Sequence, residues 1–159
     1  MAPDLALIRR LEAVADRAWP PAEVLAKDGW ELRAAGPGIG RRVNSAAALA
    51  GGTRPLEEKV AAVEAFYRDR GLAPTFKLTA ATRPAKLEAF LAARGYRDDA
   101  PTLILTRPVD LWPGPGPALP ATPSPAWLAA NAAVPGHYGA APAPFTAPLD
   151  RIRPPRAFA

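Results

Sequence analysis

The chain has 159 residues, 49% of them hydrophobic, and its 20 basic and 15 acidic side chains give a formal net charge of +5. This length suits one ordinary domain with an apolar core, and the absence of cysteine excludes a disulfide framework and thiolate chemistry. Neither a membrane-length apolar run nor a secretory leader is evident, so we expect a cytoplasmic protein with no membrane partner.

The first predicted element is a helix at residues 4–18. Apolar side chains recur there at helical spacing, and Asp4 is a residue type that caps helix N-termini. The motif Trp19-Pro20-Pro21 ends the helix, because proline cannot continue the backbone hydrogen-bond ladder.

A β-hairpin is predicted next. Residues 29–34 alternate as a strand does, the glycine-rich stretch 36–40 predicts a turn, and residues 41–49 predict the returning strand. Asn44 and Ser45 are unusual in a strand, because both side chains prefer turns. Either the strand bulges there, or the polar pair faces a cleft and contributes to a substrate site.

Residues 50–55 join this strand to a central predicted helix, with Thr53 as its expected N-cap. A glycine-bearing turn before a helix N-terminus can bind phosphate through its backbone N–H groups. This makes Gly51, Gly52, Thr53 and Arg54 the candidates for a cofactor-binding site. The same composition also makes an ordinary strand-to-helix connection, so both interpretations stay open.

The stretch from residue 56 to residue 106 sets the fold class. Two helices are predicted from apolar spacing, at 56–67 and 87–94, and each is followed by a glycine and an apolar residue that indicate a left-handed C-terminal cap. Two strands are predicted from alternation, at 75–79 and 102–106. Helices that alternate with strands predict the α/β class, here an α+β arrangement with helices packed on a mixed sheet.

The C-terminal third has a different composition. Residues 108–126 are rich in proline and glycine and predict a semi-extended linker between a domain at 1–107 and a tail at 127–159. A short helix at 126–132 is predicted, with Trp127-Leu128 as its apolar anchor. A tail of this length is too small for a core of its own, so it either docks on the first domain or begins a second one.

The order of these elements resembles that of the GNAT-type N-acetyltransferase superfamily, and most closely the N-terminal half of a bacterial protein with two such halves in tandem. The resemblance covers roughly residues 4–107 and lies in the stretches 28–33, 40–45, 56–60, 64–67, 87–96 and 101–103. It implies a GNAT-like half-domain, acetyl-CoA as cofactor, acyl transfer to a small-molecule or peptide amine, no metal, and a second GNAT domain C-terminal to this chain.

The family's site residues are only partly matched. The turn that holds the cofactor's pyrophosphate corresponds to residues 51–54, whereas the literal motif match at 68–73 closes a helix and is discarded. The family's proton-donating tyrosine corresponds to Leu91, which has no proton to give, and Tyr67 is interpreted as a core residue. We therefore assign no catalytic residue, and expect an N-acyltransferase half that is degenerate, inactive alone, and dependent on acetyl-CoA bound mainly elsewhere.

Two other hypotheses remain. The positive charge is compatible with a non-catalytic binding module for an anionic or protein partner, although basic residues lie among acids, so no nucleic-acid partner is expected. A narrower possibility is a working cofactor site at Gly51-Gly52. His137, the only histidine, is interpreted as a surface residue, and Asp98 and Asp99 as a charge pair in a loop.

Overall fold

The computed structural model describes residues 2–99, 101–106, 120–133 and 148–153. Within these residues the chain forms a mixed sheet of four strands with helices on it, which confirms the predicted fold class. The elements are α1 (Leu5–Ala18), β1 (Glu23–Lys27), β2 (Trp30–Ala34), β3 (Ala46–Ala48), α2 (Leu56–Arg68), β4 (Phe76–Lys77), α3 (Leu87–Ala93) and α4 (Pro125–Ala132). A further helical turn lies at 148–151.

The sheet has the strand order β1-β2-β3-β4. Its first two pairings are antiparallel, with Leu32 opposite Ala46 in the second, and the β3–β4 pairing is parallel, with Ala46 opposite Phe76. A parallel pair needs a crossover connection, and α2 supplies it. The sheet therefore contains one parallel pair, at the β4 edge.

The first hairpin turns at Asp28 and Gly29, which link β1 to β2 with φ angles of 48° and 81°. Two consecutive positive φ angles in a two-residue connection are the geometry that Asp-Gly favours. β1 was not predicted, whereas the predicted hairpin corresponds to the antiparallel β2–β3 pair, and that pairing is confirmed. The predicted strand at 29–34 is confirmed as β2.

The core lies on one face of the sheet, under α2 and α3. Alternate residues of β2 and β3 point into it, and Trp30 at its centre is 1% exposed and donates from its indole Nε1 to the Arg83 carbonyl at 3.1 Å. Its buried members are Trp30, Leu32, Ala34, Ala46, Ala48, Leu56, Val60, Val63, Phe66, Tyr67, Leu87 and Leu91. α1 has no fully buried residue and lies against the opposite, polar face.

Three strand predictions need correction. The returning strand at 41–49 reduces to β3, because residues 41–45 form turns, and the strand at 75–79 reduces to β4. Residues 102–106 form no strand: Leu103 and Leu105 are 85% and 84% exposed. Alternating residues indicate a strand only where one face meets a partner layer, and these two side chains face solvent instead.

The helix ends follow the predictions more closely. Gly71 and Gly95 have φ angles of 65° and 89°, and the next residue's N–H bonds back to the carbonyls of Tyr67 and Leu91, so both left-handed caps are confirmed. Asp4 caps α1 as predicted. The predicted N-cap Thr53 is wrong, because the N-cap of α2 is Pro55 and no side chain caps that helix.

The described part of the tail docks on the end of α1. The predicted short helix is confirmed as α4, and its Trp127 and Leu128 pack with Leu149 and Trp19. The Arg151 Nε also donates to the Pro20 carbonyl at 3.3 Å. Residues 108–119 of the predicted linker lie outside the described residues, and the domain boundaries stay a prediction. No helix in the described ranges has the length and apolarity that crossing a membrane requires.

Candidate functional site

The carboxylate of Asp28 fills the turn that precedes α2. The backbone N–H of Thr53 donates to its Oδ1 at 2.9 Å, and the N–H of Arg54 donates to its Oδ2 at 3.1 Å. The Thr53 hydroxyl adds a third hydrogen bond at 3.1 Å. Free N–H groups and the helix dipole favour a negative charge at this point, and the protein supplies that charge from its own hairpin turn.

Lys59 completes this arrangement from the first turns of α2. Its Nζ lies 2.6 Å from the carbonyls of both Asp28 and Gly51 and 3.1 Å from the Asp28 carboxylate. Its side chain is 3% exposed and lies over the Trp30 ring, 4.4 Å from the centroid. Hydrogen bonds from the N–H groups of Thr53 and Arg54 hold the pKa of Asp28 far below its usual range, and Lys59 contributes less to the same effect.

Gly52 permits this close approach. Its φ of 71° lies in the left-handed region, and a Cβ there would overlap the backbone and carboxylate oxygens of Asp28. The turn is therefore shaped around Asp28. In this arrangement the N–H donors of Thr53 and Arg54 are used by the Asp28 carboxylate.

A second feature is a cleft of about 350 Å³ between α1 and the polar face of the sheet. It lies beside the parallel pair, with Leu49 just after β3 and Thr79 just after β4 in its wall. Three cationic and three anionic side chains line it: Arg9, Arg33, Lys77, Glu12, Asp16 and Glu31. A lining of this kind suits a small polar molecule that carries charge.

Ion pairs join α1 to the sheet across this cleft. Asp16 pairs with Arg33 of β2 and with Lys77 of β4, the latter at 3.2 Å, and Glu12 also pairs with Lys77. The Arg33 side chain is only 3% exposed. The pairs fix α1 over the sheet while leaving an open volume between them.

Tyr67 of α2 holds Arg33 from the opposite face. Its hydroxyl donates to the Arg33 carbonyl at 2.9 Å and accepts from the Arg33 N–H at 3.3 Å, just beyond the Leu32–Ala46 pair where β2–β3 pairing ends. Burial raises the pKa of Tyr67 to about 12. Its interpretation as a core residue is confirmed. Leu91, at the position that corresponds to the family tyrosine, is 3% exposed in the same core.

A comparison with family models gives a match over most of the chain. Residues 5–143 match the model described as "Probable histone acetyltransferase Rv0428c C-terminal". The chain belongs to this family. Comparison with curated proteins and with solved structures gave no significant match. The description supports an acetyltransferase-like protein, whereas membership of the GNAT superfamily and the N-terminal place in a tandem stay predictions.

The other candidate residues of this family member lie apart from the cleft. Asn44 is 7% exposed, and its amide bonds the Ala35 N–H and the carbonyls of Gly36 and Ile39, so its side chain organises the loop between β2 and β3. Ser45 is 2% exposed, and its Oγ has no hydrogen-bond partner. Both residues precede β3, so the expected strand bulge is absent, and their substrate role stays a prediction.

Two further predictions concern isolated polar residues. His137 lies outside the described residues. Asp98 and Asp99 are exposed, and Asp99 forms an ion pair with Arg41 rather than an acid–base pair with its neighbour.

Asp28 and Arg33 were not predicted as site residues. The Asp28-Gly29 dipeptide between two alternating stretches was an available signal for the hairpin, and hence for Asp28 at a turn. Its contact with residues 53 and 54 joins positions 25 and 26 residues apart, which no local spacing predicts. In the sequence, Arg33 is an ordinary polar residue of a strand, because no local feature indicates that α1 covers it.

Proposed function

We propose that this chain is a GNAT-type N-acetyltransferase domain and the degenerate half of a bacterial cytoplasmic tandem protein. In this proposal it shapes the amine side of the reaction, and acetyl-CoA binds chiefly to a second GNAT domain. The family description, the order of elements and the single parallel strand pair support the transferase class. The proposal that this half is degenerate rests on one observation: the N–H groups of Thr53 and Arg54 donate to the Asp28 carboxylate.

The physical argument is a competition between two anions for one set of donors. A pyrophosphate would have to displace a carboxylate that is already hydrogen-bonded twice to backbone and paired with Lys59 at 3.1 Å. Displacing it leaves a negative charge beside the incoming phosphates, and like charges at short range repel. Acetyl-CoA affinity at residues 51–54 should therefore be low.

The amine acceptor would use the cleft between α1 and the sheet. This cleft is adjacent to the parallel pair β3–β4, and it carries both signs of charge. Its volume of about 350 Å³ suits a small molecule or one side chain of a peptide.

The test is a calorimetric titration of acetyl-CoA into the chain, with release of free CoA thiol measured in the presence of a small amine. We expect no saturable heat below about 1 mM and no thiol release above the uncatalysed rate. Micromolar binding together with turnover would contradict the degenerate part and favour a working cofactor site at Gly51-Gly52. The Gly52→Leu variant should then lose that binding.

A further inference from the structure

The outer edge of β1 is an open strand edge. Among the described residues β1 pairs only with β2, and all five residues of the strand are exposed. Val24 and Leu25 are 55% and 41% exposed, whereas β4, at the opposite edge of the sheet, has only two residues. An exposed strand edge with an apolar centre is a template for pairing with another strand.

The hairpin fixes which backbone groups of β1 face this open edge. The connection to β2 has two residues, so Lys27 and Trp30 are the pair that exchanges both backbone hydrogen bonds. Hydrogen-bonded and non-hydrogen-bonded pairs alternate along an antiparallel ladder, so every second residue back from Lys27 also bonds to β2. The N–H and C=O groups of Val24 and Ala26 therefore point away from β2. No backbone group in the described turns and loops bonds to them.

The sequence of β1 is complementary to its own reverse. When two copies lie antiparallel with Leu25 of each on the two-fold axis, Val24 lies opposite Ala26 of the second copy, and Glu23 lies opposite Lys27. This register joins the residues whose backbone groups are free, because Val24 and Ala26 become the hydrogen-bonded pairs. The closer, non-hydrogen-bonded pairs are then the two Leu25 side chains and the pairs of opposite charge.

Other registers that use the same free backbone groups lose this match. A shift by two residues in either direction places a charged side chain, Glu23 or Lys27, opposite Leu25 of the second copy. Lys27 has no ion pair among the residues that the structure describes. Glu23 pairs with Arg70 at 2.7 Å, and its carboxylate keeps acceptor sites for a second cation. Charge complementarity therefore selects the register centred on Leu25.

We propose that two copies of this chain associate through β1 in this register, so that their two sheets join into one. Each copy contributes a single strand edge, and such a contact is smaller than the roughly 1,000 Å² that stable interfaces bury. The dimer is therefore weak and forms with increasing protein concentration. The association does not depend on the acetyltransferase function, because neither the cleft nor the turn at 51–54 takes part in it.

Sedimentation velocity of the full chain between about 10 µM and 1 mM tests the association. We expect a shift from monomer to dimer with a dissociation constant inside that range, as a small interface gives. A chain that remains monomeric up to about 1 mM would overturn the proposal.

Two variants of β1 locate the contact. Ala26→Pro removes an outward N–H and keeps the bonds between β1 and β2, and Leu25→Lys places like charges opposite each other on the two-fold axis. Each should weaken dimerisation about tenfold or more. Val14→Lys is the matched control, because Val14 is a similarly exposed apolar residue on α1, and it should dimerise as the wild type does. A dimer that neither β1 variant weakens would overturn the proposal; if Ala26→Pro does not fold, Leu25→Lys decides.

Single cysteines test the register, because the chain has no cysteine of its own. In Leu25→Cys the two Cβ atoms face each other on the axis at about 5 Å, close to the separation that a disulfide spans. In Val24→Cys, which is at least as exposed, the two cysteines lie on a diagonal about 7–8 Å apart. Under mild oxidation at about 100 µM protein, we expect Leu25→Cys to form the disulfide dimer at least about tenfold faster. Equal rates for the two variants would overturn the register.

Discussion

At the scale of single residues, Asp28 has three roles at once. It occupies the first position of the hairpin turn with a φ of 48°, supplies the anion in front of α2, and pairs with the buried Lys59. Each role links elements that are distant in sequence. Removing the charge should therefore affect stability as well as the chemistry of the turn.

The Asp28→Asn variant tests this electrostatic role. Because hydrogen bonding holds the pKa of Asp28 below its ordinary value of 3.8, its charge stabilises the fold above that pH, and the stabilisation is lost as pH falls further. Asparagine keeps the turn preference but not the charge. We expect a lower melting temperature at neutral pH and a flatter acid limb between about pH 5 and pH 2 by circular dichroism.

The matched control for this experiment is Asp98→Asn, which changes an exposed loop carboxylate and should leave the melting profile unchanged. Parallel profiles for Asp28→Asn and the wild type would show that the carboxylate is not held as described.

The Tyr67 hydroxyl makes the second residue-scale prediction. Tyr67→Phe leaves the N–H and carbonyl of Arg33 without their partner, so we expect a loss of about 1–3 kcal/mol in urea unfolding. Tyr96→Phe is the control: its hydroxyl bonds the carboxylate of Glu64 at 3.1 Å in a more accessible place, and its loss should be smaller. A Tyr67→Phe loss no larger than that of Tyr96→Phe would contradict the account.

At the scale of elements, helices could be predicted from the sequence and the strand edges could not. Helices at residues 4–18 and 56–67 can be predicted from the spacing of their apolar residues and from residues that cap their ends. The observed helices agree within a residue or two. The lengths of β3 and β4 could not be predicted, because they depend on pairing between segments that are far apart in the sequence. Residues 102–106 alternate in the same way but do not lie on the sheet. The turn at 51–54 could be recognised, but the carboxylate inside it could not.

That turn gives a matched pair of glycine substitutions. Gly52→Ala places a Cβ against Asp28 at a φ of 71°, so we expect a loss of about 1–3 kcal/mol in urea unfolding. Gly51→Ala, one residue earlier, meets open space and should change stability by less than about 0.5 kcal/mol. Equal effects of the two substitutions would mean that Asp28 does not approach Gly52 closely.

At the scale of the whole molecule, the sheet separates two environments. One face carries the apolar core under α2 and α3, and the other carries charged side chains under α1. Six described basic side chains are ion-paired: Arg33, Arg41, Lys59, Arg70, Lys77 and Arg94. The alternative of a basic binding module stays a prediction, and steep loss of polyanion binding with added salt would support it.

The docked tail makes a prediction at this scale. Leu149 is 4% exposed and packs with Trp19 and Trp127, so Leu149→Ala should lower the local stability of the α4 contact by about 2 kcal/mol or more. Hydrogen exchange of the amides in α4 should then accelerate by at least tenfold while β2 remains protected. Unchanged exchange in α4 would contradict the docking.

The central claim is that Asp28 holds the N–H groups that a cofactor phosphate would need. The most direct measurement follows the amide resonances of Thr53 and Arg54 in the ¹⁵N-labelled chain as acetyl-CoA is added. The account predicts that both stay in place up to about 1 mM acetyl-CoA, because their donors remain on the Asp28 carboxylate. Saturable shifts of both resonances at micromolar acetyl-CoA would contradict it.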